Sequence, residues 1–336
     1  MTPRSAVETP RPPAGRIAVA GNLSLDDTVT PTGSQRAAPG GDALYAALGV
    51  RAWGPMPLLL TLVGDDYPAE NLAWIRQAGI DTSRVRTVDG PTVHYRITYQ
   101  ARGERRFEWL SSPDRLAATS PTVDDYADLS DVVWLHVAAM PIEAQETGVQ
   151  GARAAGLPYS LDPHEEYVVG FEERLRAIVE GAVFMPSELE LRLLFPDLEE
   201  SHPIRFAQRA AERLDEWRPV MVAVKVGDAG SVVRIGASTV HIPALDVHVV
   251  DPTGAGDAYC GGFIAGWLQT RSPRVAAACG TVVAAETIGS FGAFAGGPGA
   301  SIDDRIDRVL GLLGDDLDAS QIASSLRDLH TYRTPA

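Results

Sequence analysis

Asp257 is placed to take a proton from a hydroxyl. It ends the run Asp251-Pro252-Thr253-Gly254-Ala255-Gly256-Asp257, a Gly-rich turn predicted to join a short apolar strand over 247–250 to a helix reaching roughly to Gln269. Gly254 and Gly256 let backbone N–H groups crowd an anion with no Cβ in the way. The helix that follows aims its unpaired N–H groups and positive dipole end at the same spot, so Gly254, Ala255 and Gly256 form a candidate anion hole. A carboxylate beside such a nest works against simple phosphate binding. It fits a site where the acid deprotonates an alcohol while the nest holds the phosphoryl group under attack. The same letters also describe an ordinary acid in the first turn of a helix.

Other candidates stand at strand ends. Lys225 is the only lysine in a chain whose other cationic side chains, histidines aside, are arginines. It ends an apolar strand over 220–226, before Gly227-Asp228-Ala229-Gly230, where a compact ammonium suits a place that an Arg fork does not. Asp26 and Asp27 follow the first strand, and Asp162 and His164 follow another. Ser187-Glu188-Leu189-Glu190 opens a helix, and a capping box of Ser187 and Glu190 accounts for those letters structurally. His94, Arg96 and Arg106 lie on a predicted hairpin, where charge on an exposed strand edge is the alternative reading.

Strand signals alternate with helical ones over most of the chain. That pattern predicts a three-layer α/β/α fold around a mostly parallel sheet, with ligands outside the carboxyl ends of the strands. The hairpin over 93–110, turning at 101–104, breaks the rhythm. Together with the polar, turn-rich stretch 28–38 it predicts a small β lid over 28–38 and 92–118. The large domain then takes 15–27, 39–91 and 119–314. Residues 1–14, with four prolines, read as a disordered tail and 315–336 as a polar C-terminal tail.

The net charge of −15 argues against nucleic acid or an anionic membrane as a partner. No apolar run approaches the length of a membrane span, and two cysteines are too few for a disulfide framework. The expectation is a cytoplasmic protein. No P-loop signature occurs, and no G-x-G-x-x-G follows the first strand. Both absences count against the commonest kinase and dehydrogenase folds.

The run from Asp251 to Asp257 resembles in full the second signature of the ribokinase-like (PfkB-type) sugar and nucleoside kinases, D-x-x-G-A-G-D. Pro39-Gly40-Gly41 is similar to the first half of their first signature, and Gly21-Asn22 with Asp26 to their sugar-binding aspartate. The resemblance spans roughly residues 16 to 312. It implies ATP with Mg2+, Asp257 as general base, and an acceptor held by Asp26, Gly40, Gly41 and the lid, Arg96 included. It implies ATP along 225–230 and 290–299, with Lys225, Gly227, Gly230, Ser187 and Gly292 at the nucleotide. Glu190 would hold Mg2+ through water, and Asp251 and Thr253 a monovalent cation such as K+. Tyr45 and Ser187 stand where the family has asparagines. Tyr45 points to a bulkier, flatter or less hydroxylated acceptor than ribose, since a phenol cannot reproduce the amide, and its ring could stack on a base. The expected activity is therefore phosphorylation of a sugar or sugar derivative, with a nucleoside kinase as the alternative and a non-catalytic sugar-binding relative as a third reading. A homodimer through paired lids is a further implication of the resemblance.

Overall fold

A computed structural model of the chain describes residues 15–31, 33–99, 105–293, 300–314 and 317–331. In the N-terminal third, β1 (Arg16–Ala20), β2 (Ser24–Thr30) and β3 (Gly33–Gly40) lead into α1 (Asp42–Ala52). They are followed by β4 (Leu58–Gly64), α2 (Ala69–Gln77), β5 (Val85–Val88), β6 (Val93–Tyr99), β7 (Arg105–Trp109) and the short α3 (Arg115–Ala118). The middle of the chain contributes β8 (Val132–Val137), α4 (Ile142–Ala154), β9 (Tyr159–Leu161), α5 (Glu172–Val179), β10 (Val183–Phe184), α6 (Glu188–Leu194) and α7 (Pro203–Arg213). Last come β11 (Met221–Lys225), β12 (Ser231–Ile235), β13 (Ser238–Ile242), α8 (Ala255–Thr270), α9 (Pro273–Ile288), α10 (Ile302–Leu313) and α11 (Ala319–Thr331).

Nine strands form one sheet in the order β13-β12-β11-β10-β9-β8-β1-β4-β5. Only the pairings β11 with β12 and β12 with β13 are antiparallel. Its central strands are apolar on both faces because helices cover both. On β11, Val222 and Val224 face a core built with α4 to α7, while Met221 and Ala223 face one built with α8 to α11. A second sheet, in the order β3-β2-β6-β7, is the lid. The expected three-layer architecture with a β lid is therefore present.

Three local expectations need correction. Residues 247–250 form no strand: the sheet ends at β13, and the N–H groups of Val250 and Asp251 donate to Ile288 O at 2.8 and 3.2 Å. The valines there are apolar because Val247 and Val249 line a cleft. The lid starts earlier than residue 28, for β2 begins at Ser24 and pairs with β3 from Ser24–Gly40 onward. The polar stretch 28–38 is thus mostly paired strand. Finally, 315–336 is not simply a tail, because α11 buries Ala323, Leu326 and Leu329 against the α8–α10 side. The spacing of those three residues is one helix face. The turn 101–104 and the first fourteen residues lie outside the described residues.

Candidate active site

The start of α8 is fixed by two close backbone approaches. A Cβ on Gly261 would come within 1.9 Å of Ala46 O, so α1 and α8 cross nearly backbone to backbone. At the N-cap of α8, Gly254 adopts the left-handed conformation (φ 75°), and a Cβ there would fall 2.1 Å from the Tyr45 ring. Only glycine fits both demands. Ala258 makes the first helical hydrogen bond, to Gly254 O at 2.9 Å, so the amides of Gly256 and Asp257 belong to the open first turn. Asp257 sits in that turn, partly exposed, on the wall of a cleft of about 990 Å3. Clefts that hold one small ligand run from roughly 300 to 1,000 Å3, so this one lies at the upper end of that range.

The two ends of the cleft differ. One is apolar, lined by Leu245, Val247, Val249, Ala284, Ala285 and Ile288. The other is polar beneath an aromatic roof, with Asn22, Ser24, Asp26 and Asp42 under Tyr95 and Trp109 of the lid. Asp257 and the Gly254 turn also line it, as do Lys225 and Glu190.

Lys225 Nζ donates to Asp162 Oδ1 at 2.6 Å, with Cys260 Sγ 3.8 Å away. Burial pushes the Asp162 carboxyl up to about 6 against the pull of Lys225. Lys225 is raised in turn by Asp162, Cys260, Glu190 and Asp257, which outweigh its own burial. The lone lysine is therefore a hub among acids at the cleft floor. Ser187 and Glu190 make the capping box: Ser187 N donates to Glu190 Oε2 at 2.6 Å, and Glu190 N donates to Ser187 Oγ at 3.3 Å. Burial pushes Glu190 up to about 7. That box still leaves carboxylate lone pairs for a metal-bound water. Among the described residues, no group of three or more His, Cys, Asp or Glu side chains is arranged to hold a metal ion.

At the polar end Asp26 is buried, accepts from Ser24 Oγ at 2.7 Å, and is pushed up by burial to about 6. Gly40 gives it room, since a Cβ there would meet Asp26 Oδ2 at 1.9 Å. Asp42 accepts from Asn22 N at 2.8 Å and is raised well above the ordinary carboxyl range, by burial first and then by Asp257. Sequence reading missed Asp42, although a Gly-Asp step at a helix start marks it as it marks Asp257. Asp162, weighed only as an acid at a strand end, proves to be the partner of Lys225.

Tyr45 lines the cleft but is buried. Its phenol is raised by burial, then by Asp26 and Asp251, and its ring lies against Gly254. Arg96 is not a cleft residue. β6 points Tyr95, Ile97 and Tyr99 inward, so Arg96 lies on the outer lid face and donates to Asp27 Oδ2 at 3.3 Å and Glu108 Oε2 at 3.1 Å. His94 also meets Asp27, at 3.1 Å, and Arg106 is exposed. His164 does line the cleft, as do Gly41, Gly227 and Gly230. Gly292 does not: its N–H donates to Asp251 Oδ2 at 3.0 Å, and it packs on Gln35 of the lid. The adjoining loop 296–299 lies outside the described residues. Asp251 Oδ1 accepts from Thr253 N at 3.0 Å, so this carboxylate clamps two loops together. Thr253 Oγ1 and Tyr99 Oη, 3.0 Å apart, link the lid to the turn.

The lidded cleft, with a glycine turn at a helix start and an acid beside it, fits an ATP-dependent small-molecule kinase. The chain belongs to the pfkB family of carbohydrate kinases, whose family model matches residues 16–298. It is 27% identical over 288 residues to a cytidine kinase of Thermococcus kodakarensis, covering 82% of this chain and 97% of that protein. It is 28% identical over 283 residues to an ATP-dependent ribose-1-phosphate kinase of Halopiger xanaduensis, covering 82% and 90%. Among solved structures, an Escherichia coli protein described as a ribokinase II, crystallised with ATP and Mg2+, superposes with a TM-score of 0.68 at 22% identity, over 88% of this chain and 99% of that one. Ribokinase from Thermotoga maritima superposes with a TM-score of 0.66 at 24% identity, over 89% and 99%. At those identities the two structures establish the shared fold.

Proposed function

We propose that this chain transfers the γ-phosphoryl group of ATP to a hydroxyl of an uncharged sugar or sugar derivative, nucleosides included. The carrying observation is the position of Asp257 on the wall of a cleft shared by the Gly254 turn and Asp26. In this reading the apolar end takes the adenine, and the segment Lys225 to Gly230 runs beside the phosphates. Asp26 and the Gly40-Gly41 backbone hold the acceptor hydroxyls. Asp257 takes the proton of the attacking hydroxyl as the phosphoryl group transfers in line, and the amides of residues 254–257 stabilise the charge that develops. Because that transition state is loose, placement counts for more than strong basicity.

Mg2+, bound with the nucleotide, would neutralise phosphate charge in a cleft rich in acids, and Glu190 is the residue to hold its water. Asp251 and Thr253 remain the place for a monovalent cation, tested by the response of turnover to K+. The lid closes over the acceptor and excludes water. Two lids pairing into a homodimer would leave the outer face of β6 between subunits, which sedimentation would detect. The reading places the enzyme in the cytoplasm with its ATP. No described helix is long and apolar enough to cross a membrane.

The test is ADP release, measured by a coupled assay across pentoses, hexoses, sugar phosphates and nucleosides. Acceptor-dependent release with an unphosphorylated sugar or a nucleoside supports the proposal, and release with sugar phosphates alone overturns its uncharged acceptor. Tight acceptor binding with no release for any would support a non-catalytic relative.

A further inference from the structure

The inner face of the lid carries more aromatic surface than hydroxyl recognition requires. Tyr95 on β6 stands 4.5 Å from Trp109 and 6.3 Å from Phe107, both on β7, between ring centroids. All three line the cleft, and Phe107 is 44% exposed there. Rings left wet inside a cleft are surface for a flat ligand to cover. Sugar hydroxyls have their own partners in Asp26 and the Gly41 backbone, so the aromatic face serves another part of the acceptor.

Charge narrows that part further. On the acceptor side the cleft is lined by Asp26, Asp42, Glu165 and Glu166. Among the described lining residues Lys225 and His164 are the ones able to carry positive charge, and Lys225 is held by Asp162. A phosphate already on the acceptor would meet carboxylates. Glu165 and Glu166 follow β9 and line the cleft, Glu166 close enough to Tyr95 to raise its phenol after burial and the nearer acids, and carboxylates can only accept hydrogen bonds. Their complement on a flat ring is an N–H edge.

Resting on the kinase reading above, we infer that the acceptor is an unphosphorylated nucleoside whose base carries an exocyclic amino group. The base lies against Tyr95, Phe107 and Trp109, its amino edge faces Glu165 and Glu166, and its ribose hydroxyls reach Asp26.

The experiment compares kcat/KM for ADP release with cytidine, adenosine, uridine, inosine, ribose and ribose 5-phosphate. Cytidine or adenosine should exceed uridine and inosine by about tenfold or more, and both sugars by a wider margin. Trp109→Ala should raise KM for the best nucleoside about tenfold, with kcat moved less, and Trp109→Phe should restore most of it. Phe107→Ala gives the same readout at a more exposed position if the Trp109 variant folds poorly. Ribose or its phosphate turned over as well as any nucleoside, or uridine or inosine matching the better of cytidine and adenosine, overturns the inference while the kinase reading stands. Silence with every acceptor overturns both.

Discussion

The Lys225 ammonium and the Asp162 carboxylate form a buried pair directly under the anion turn. Nζ lies 2.6 Å from Asp162 Oδ1, and a Cβ built on Gly256 would stand only 3.6 Å from Nζ. This carboxylate therefore fixes where the only lysine in the chain places its charge. A buried pair contributes little net stability but is costly to break from one side. Lys225→Met should destabilise the fold by about 3 kcal/mol in urea melts. Adding Asp162→Asn should recover much of that stability while kcat stays depressed. Stability and turnover recovering together would mean that the pair is purely structural.

Gly254 and Tyr45 make a second coupled pair. Gly254→Ala meets a strained φ, about 1–2 kcal/mol, and the ring of Tyr45 besides. The single variant should lose most activity and unfold more easily. Tyr45→Ala placed on top should return only the steric share of the loss, giving a double-mutant coupling of about 0.5–3 kcal/mol. Strict additivity would show that the ring does not hold the turn.

Gly40→Ala tests the acceptor end. Its Cβ would stand 1.9 Å from Asp26 Oδ2, so the carboxylate must move. KM for the acceptor should rise about tenfold or more, as expected when a hydroxyl partner worth about 1.5 kcal/mol is misplaced. KM for ATP should change little. Equal changes in both constants would place Asp26 away from the acceptor.

Most of the sheet was readable because central strands buried on both faces appear as unbroken apolar runs such as Met221 to Val224. The glycine turn at the start of α8 was readable because its glycines and Asp257 are adjacent in sequence. The failures have a common cause. Val247 and Val249 look like a strand because a ligand cleft demands the same apolar side chains as a sheet. Arg96 looks like a substrate ligand until the alternation of β6 assigns Tyr95 and Ile97 to the inside. The partnership of Lys225 with Asp162 joins positions 63 residues apart, and no local pattern announces it. The helix Ala319–Thr331 was lost among polar residues, though Ala323, Leu326 and Leu329 mark its buried face.

Asp26 also links stability to pH. Burial raises its folded-state pKa to about 6, above the roughly 3.9 of an unfolded chain. Between those values the folded state holds a proton that the unfolded state has released, so stability falls as pH rises from about 4 to 6. Asp26→Asn removes this dependence. The variant should be more stable than the parent by about 3 kcal/mol at pH 7. The difference should fade toward pH 4, as measured by denaturant melts at both values. A constant difference across that window would contradict the assignment of this carboxyl.

Asp257 is the proposed base that frees the attacking hydroxyl. Steady-state kinetics of Asp257→Asn with saturating ATP and acceptor test it most directly. The prediction is a kcat lowered by about 10^2 to 10^4 with ATP affinity retained. Turnover near that of the parent enzyme would contradict it.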